Sequence, residues 1–225
     1  MVAFGEGGAL LERERELETL RGGVGRACAG AGALFLIEGP PGAGKTALGR
    51  EARAVAERAG MVPLQARGSE LEQPFAFGVV RQLLEPVISK EPGHSDLFAG
   101  AAGLAARLFE PGERRPLEAG FEALNSLYWL VVNIADRAPV LVLVDDCQWA
   151  DQESLRFLAH LAQRIEGLAV TMLLTGRPPG CRRRGGGGVV GAAGVAPGCG
   201  RAVSAAAERV RRGDADTGAP GRRRS

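Results

Sequence analysis

Ala33-Leu-Phe-Leu-Ile-Glu38 is a short apolar run that stops at Gly39-Pro40-Pro41-Gly42-Ala43-Gly44, and Lys45-Thr46 then opens a segment with helical spacing. This order constrains the fold more than any other feature of the chain. A run so short, bounded by Gly and Pro, reads as a buried strand. From Lys45 to Ala59, the residues Ala47, Leu48, Ala52, Val55 and Ala56 fall on one helical face, and Gly60 follows as a C-cap. Gly42 and Gly44 permit a tight loop whose backbone N–H groups turn inward, and the helix behind it contributes the positive end of its dipole. Strand, loop and helix in that succession make a phosphate cradle, and Gly39 to Thr46 satisfies the spacing G-x-x-x-x-G-K-[S/T]. In this pattern Lys45 spans the β- and γ-phosphates and the Thr46 hydroxyl ligates Mg²⁺. Backbone and side chains of Gly39, Pro40, Pro41, Gly42, Ala43, Gly44, Lys45 and Thr46 are therefore the candidate cofactor-binding set, with Thr46 also a metal ligand.

The remaining periodicity completes an α/β order. Val62–Ala66 reads as a second strand, Val140–Asp145 as a third and Ala169–Thr175 as a fourth. Helical spacing is expected over Phe77–Ser89, Leu97–Phe109 and Leu117–Arg137. A further helix is capped by Asp151, carries Leu155, Leu158, Leu161, Ala162 and Ile165 as one stripe, and is closed by Gly167. Strands apolar throughout and alternating with helices predict a parallel sheet with helices on both faces, an α/β fold of P-loop NTPase type. Asp145 and Asp146 end the third strand. Alone, two acids after a strand are ordinary turn residues. Behind a phosphate loop, Asp145 reads as the holder of the hydrated Mg²⁺ and Asp146 as the group that polarises an attacking water. Thr175 and Arg177, at the end of the fourth strand, are candidates to sense the γ-phosphate. The competing reading is a strand that simply ends in a turn before Pro178.

Composition matters chiefly through its asymmetry. Of 28 basic and 26 acidic residues, ten and three lie in 179–225, giving that segment +7 against −5 for the residues before it. The segment holds 12 of the 34 glycines and no Leu, Ile or aromatic residue, too little apolar surface to offset the entropy of ordering. The expected organisation is a folded domain over 1–178 and a disordered Arg-, Gly- and Ala-rich tail over 179–225. Only 2 of the 28 basic residues are Lys, which suggests a GC-rich coding sequence and a tail that is out of frame or truncated; a natural basic tail is the alternative. Gly188-Val-Val-Gly191 is its one poor strand candidate. No run of about 18 apolar residues is present, which excludes a membrane-spanning helix. The N-terminus lacks the charge and apolar pattern of a secretory signal. Cys28, Cys147, Cys181 and Cys199 lack metal-ligand spacing, so they read as reduced thiols of a cytoplasmic chain.

Several segments resemble known proteins. Leu10-Leu-Glu-Arg-Glu-Arg-Glu-Leu17 resembles the N-terminal box of STAND-class P-loop ATPases, a branch close to AAA+, with Glu12 where the common box has Gly. Gly68–Leu84, Leu127–Leu130 and Val144–Leu155, the last with Trp149 and Asp151 in a W-A-D pattern, are similar to large ATP-binding regulators of the LuxR family. That resemblance covers about Leu10 to Pro178. It implies ATP and Mg²⁺ as cofactors, Arg13 near the adenine, a P-loop strand lying between the fourth and a fifth strand, and nucleotide-dependent switching with slow hydrolysis. It also implies DNA binding only through domains absent from this chain. With only Gly188–Gly191 as a poor fifth strand, the sheet is then expected to lack that strand and to leave Ala33–Glu38 an apolar edge prone to self-association. Two other functions fit parts of the sequence: a small P-loop kinase, and nucleic-acid binding through the basic tail.

Overall fold

The computed structural model describes residues 14–39, 42–90, 94–110 and 120–177. Its elements run α1 (Glu14–Cys28), β1 (Ala33–Glu38), α2 (Lys45–Arg58), β2 (Val62–Arg67), α3 (Gly78–Ile88), α4 (Ala106–Phe109), α5 (Phe121–Ala135), β3 (Val140–Asp145), α6 (Gln152–Ala162) and β4 (Val170–Gly176). The four strands form one parallel sheet in the order β1-β4-β3-β2. The fold is α/β, as the alternation of strands and helices predicts.

Alternation along each strand divides the core in two. Phe35 and Ile37 of β1, Leu141 and Leu143 of β3 and Leu173 of β4 face α1 and α2. Leu34, Leu64, Val142, Val144 and Met172 face α3, α5 and α6 on the other side. All six residues of β3 are buried, which is why this strand reads as apolar on both faces. Among the described residues β1 and β2 are the two edge strands. The expected place of β1 beside β4 is found, whereas Gly188–Gly191 lies outside the described residues, as does the tail.

Three helix assignments need correction. The expected helix over Leu97–Phe109 is two 3₁₀ segments, His94–Phe98 and Gly100–Ala105, followed by the single turn of α4. Gly100 adopts φ +61°, a left-handed conformation that breaks a helix there. The helix expected over Leu117–Arg137 is α5, which begins at Phe121; residues 111–119 lie outside the described residues. The helix expected to close at Gly167 ends at Ala162, because the chain turns so that Ile165 enters the core beside Gly32. A Cβ on Gly32 would lie 2.1 Å from the Ile165 carbonyl oxygen.

The buried carboxylate of Asp151 ties the two halves of the far layer together. It accepts from Ser154 N at 2.8 Å, capping α6 as expected, and also from Phe77 N at 2.8 Å and Val79 N at 3.2 Å at the start of α3. Phe77 sits at φ +60°, a strained conformation for a bulky residue, held by this carboxylate and by burial of its ring. Asp151→Ala leaves three backbone donors without their acceptor, and we expect it to lower the unfolding free energy by roughly 3 kcal/mol. Urea denaturation checks this; a loss below about 1 kcal/mol would contradict the linking role.

His160, also in α6, is buried with its Nε2 unpartnered, against the rings of Phe121 and Tyr128 at 5.8 and 6.1 Å. Burial, with a smaller contribution from the charge of Arg164, holds its pKa below the ordinary 6.5. The unfolded chain therefore takes up a proton that the folded chain refuses, and stability declines as pH falls through about 6.5. Denaturation curves at pH about 7.5 and about 5.5 should show a smaller difference for His160→Phe than for the wild type.

Candidate functional site

Parallel register brings the chemistry to one end of the sheet. Arg67 is paired with Asp145, Ile37 with Thr175 and Glu38 with Gly176, so the loops after all four strands leave from the same rim. Gly42 and Gly44 take φ +80° and +73°, the left-handed turns that their position in the loop requires. Gly44 immediately precedes α2, whose first N–H groups point out of the helix into the loop. Lys45 is buried, and its Nζ donates to the Gly39 carbonyl at 2.8 Å. Gly39 N in turn donates to the Gly176 carbonyl at 3.2 Å, tying the start of the loop to the end of β4.

The two acids occupy different environments. Asp145 is buried, and its Oδ2 accepts from the Thr46 hydroxyl at 2.8 Å. Its Oδ1 accepts from the hydroxyl of Thr175, whose oxygen also accepts from Asp146 N at 3.1 Å. Asp146 stands at φ +54° and spreads its carboxylate between two donors: Arg67 Nη2 to Oδ2 at 3.1 Å and Gln148 Nε2 to Oδ1 at 3.0 Å. Burial pushes its pKa up, but hydrogen bonds from Gln148 and Arg67, with the charges of Arg67 and Lys45, prevail and hold it below the ordinary 3.8. Burial and the neighbouring Asp145 push the Cys147 thiol up to about 12, so it remains a neutral donor to the Val144 carbonyl. Arg177 is exposed, and its N–H donates to Gln148 Oε1 at 3.2 Å.

A family model described as AAA ATPase domain matches residues 9–174. The chain belongs to that family. An uncharacterized protein of Rhizobium meliloti (strain 1021) is 28% identical over 199 residues, an alignment covering 78% of this chain and 19% of that protein. The chain thus spans about a fifth of the length of this curated relative.

The donor set of this AAA ATPase domain suits a magnesium nucleotide. A hydroxyl and a carboxylate, Thr46 and Asp145, are hard oxygen ligands already in contact, beside a loop that presents backbone N–H groups. Among the described residues no group of three or more His, Cys, Asp or Glu is arranged to hold a metal. A magnesium shared with nucleotide phosphates needs only one or two protein oxygens. Of the sequence-derived candidates, Gly39, Gly42, Ala43, Gly44, Lys45, Thr46, Asp145, Asp146, Thr175 and Arg177 lie on this rim, while Arg13, Pro40 and Pro41 fall outside the described residues.

Sequence reasoning missed Arg67, Gln148 and Gly68. Gly68 follows β2, and a Cβ there would lie 2.5 Å from the Asp146 carbonyl oxygen and 2.9 Å from Ala150 N. Only glycine lets β2 exit so close to the loop after β3, which brings Arg67 to Asp146. The signal available was a glycine and a cation directly after a strand, on the rim where the acids end theirs.

Thr175 is fully buried, and its hydroxyl is engaged by Asp145 and the Asp146 amide. Thr175→Val keeps the shape and removes both bonds, and we expect a loss of about 1–3 kcal/mol in unfolding free energy. Thr175→Ser should recover most of it in chemical denaturation. Equal stability of the Val and Ser variants would contradict this role.

Proposed function

We propose that this AAA ATPase domain, placed at residues 1–178, binds Mg²⁺-ATP and serves as the nucleotide switch of a cytoplasmic LuxR-family transcriptional regulator. The observation that carries the nucleotide reading is the Thr46–Asp145 contact. It joins residues 99 positions apart, at the end of a left-handed glycine loop and beside a buried lysine. Lys45 would transfer its ammonium from the Gly39 carbonyl to the β- and γ-phosphate oxygens, and the loop amides and the α2 dipole would hold the remaining charge. Bound magnesium would neutralise phosphate charge at Thr46 and Asp145. Asp146 has a lone pair left on each oxygen after Gln148 and Arg67 are served, enough to orient a water toward the γ-phosphorus. Arg177, leaving the adjacent strand end, is the cation available for the γ-phosphate.

The regulator reading is supported by the resemblance over Gly68–Leu84 and Val144–Leu155. The structure packs these segments on each other through Asp151 and Ser154. It is also supported by the far greater length of the Rhizobium relative, in which such a domain is one part of a large chain. DNA recognition and ligand sensing then belong to other domains of the regulator.

Lys45→Ala should weaken Mg²⁺-ATP binding by roughly 2–3 kcal/mol, on the order of a hundredfold, since it removes a charged contact to two phosphates. Titration calorimetry on folded wild type and variant tests this, and equal affinities would refute the assignment. The two acids should separate in the same assay. Asp145→Ala should impair Mg²⁺-dependent binding, while Asp146→Asn should leave binding within about threefold and abolish single-turnover hydrolysis. Hydrolysis by Asp146→Asn at the wild-type rate would remove Asp146 from the chemistry.

A further inference from the structure

A cavity of about 830 Å³ runs along the free edge of β2, on the side of the sheet away from β1. Its volume falls in the range of small-ligand sites, about 300–1,000 Å³. Leu83, Leu97 and Ile134 supply a buried apolar floor, and Val62 and Val87 extend it. Around the floor stand Arg53, Arg67, Lys90 and Arg137, brought together from α2, the end of β2 and the segments just after α3 and α5. No acidic residue lines the cavity among the described residues. Arg53 is held in place by Glu57 at 2.8 Å and by Gln65 at 2.8 Å, and Arg67 by Asp146, so part of the cationic wall is already ordered.

A strand edge beside a groove invites a peptide strand, but this edge is blunted. Val62 N donates inward to the Pro139 carbonyl, so the alternate positions 63, 65 and 67 turn their backbone outward. Pro63 has no N–H, and Arg67 N donates to Gln82 Oε1 at 3.0 Å. Only Gln65 is left to offer an outward amide, too little for strand addition. The cavity therefore favours a compact ligand over an added strand.

We propose that this cavity is a binding site for a small organic anion, a carboxylate or phosphate monoester with an apolar body, separate from the phosphate loop. The apolar floor takes the body, and cations among those lining the wall take the head group. The site needs no nucleotide and stands whether or not the domain hydrolyses ATP.

Calorimetric titration of the full chain with 1-naphthoate, 1-naphthyl phosphate and the neutral 1-naphthalenemethanol tests the proposal. At least one anion should bind at least tenfold more tightly than the neutral probe, and the preferred anion names the head group. Lys90→Glu/Arg137→Glu, two exposed positions, should weaken the anion at least tenfold, while Lys45→Ala should leave it within about twofold. The milder Lys90→Gln/Arg137→Gln, with folding checked by circular dichroism, replaces the charge reversal if that variant does not fold. Absence of anion binding to millimolar concentration, equal binding of neutral and anionic probes, or unchanged affinity in the charge variants would each overturn the proposal. Loss of the anion in Lys45→Ala would overturn it too, by placing the anion in the phosphate loop.

Discussion

Asp145 is the point on which the site depends. One oxygen receives the hydroxyl of Thr46 from the first turn of α2, and the other receives that of Thr175 from the end of β4. Two elements distant in sequence, α2 and β4, are thereby fixed around a buried carboxylate whose own strand is central in the sheet. A buried carboxylate without partners would be expensive to desolvate, so each hydroxyl stabilises the fold as well as fixing the orientation of the carboxylate. The start of the phosphate loop is held against β4 by Gly39 N on the Gly176 carbonyl, a bond that continues the β1–β4 pairing.

Behind this contact lies a second buried acid with a different task. Asp151 reaches backbone amides at the starts of α3 and α6. It positions the loop between Asp146 and Ala150, against which Gly68 packs its backbone. Arg67 meets Asp146 because β2 leaves the sheet against that loop. The geometry of Asp146 is thus set jointly by a cap, a close glycine contact and the register of β2 on β3.

What was legible in the sequence was local or repetitive. The strands were readable because apolar side chains fill both faces, and the phosphate loop because strand, glycines and helix are contiguous. Asp145 was readable because an acid at the end of an apolar strand has few other uses behind such a loop. The segment from Leu97 to Phe109 was misread because its apolar residues fit a helical period while Gly100 breaks the backbone. Arg67 and Asp146 are 79 positions apart, and nothing in either neighbourhood announces the other. Thr175 reads from the sequence as a γ-phosphate sensor at a strand end, whereas the engagement of its hydroxyl by Asp145 depends on strand register, which short-range pattern does not encode.

The environment of Asp146 bears on what kind of ATPase such a site makes. A general base works best with a pKa near the working pH. Asp146 is held on the other side of its ordinary value by Gln148, Arg67 and Lys45, which leaves an ionised carboxylate with little appetite for a proton. On the proposed reading it would orient a water through its remaining lone pairs but withdraw little charge from it as a new bond to phosphorus formed. Its left-handed backbone is secured by Thr175 on its N–H and by Trp149 N on its carbonyl at 2.9 Å, and its carboxylate cannot swing away without breaking the bonds from Arg67 and Gln148. Thr46 and Asp145 are thus already in contact, while the Asp146 carboxylate is restrained. On the nucleotide-switch reading proposed above, a group so restrained would favour slow turnover over rapid hydrolysis.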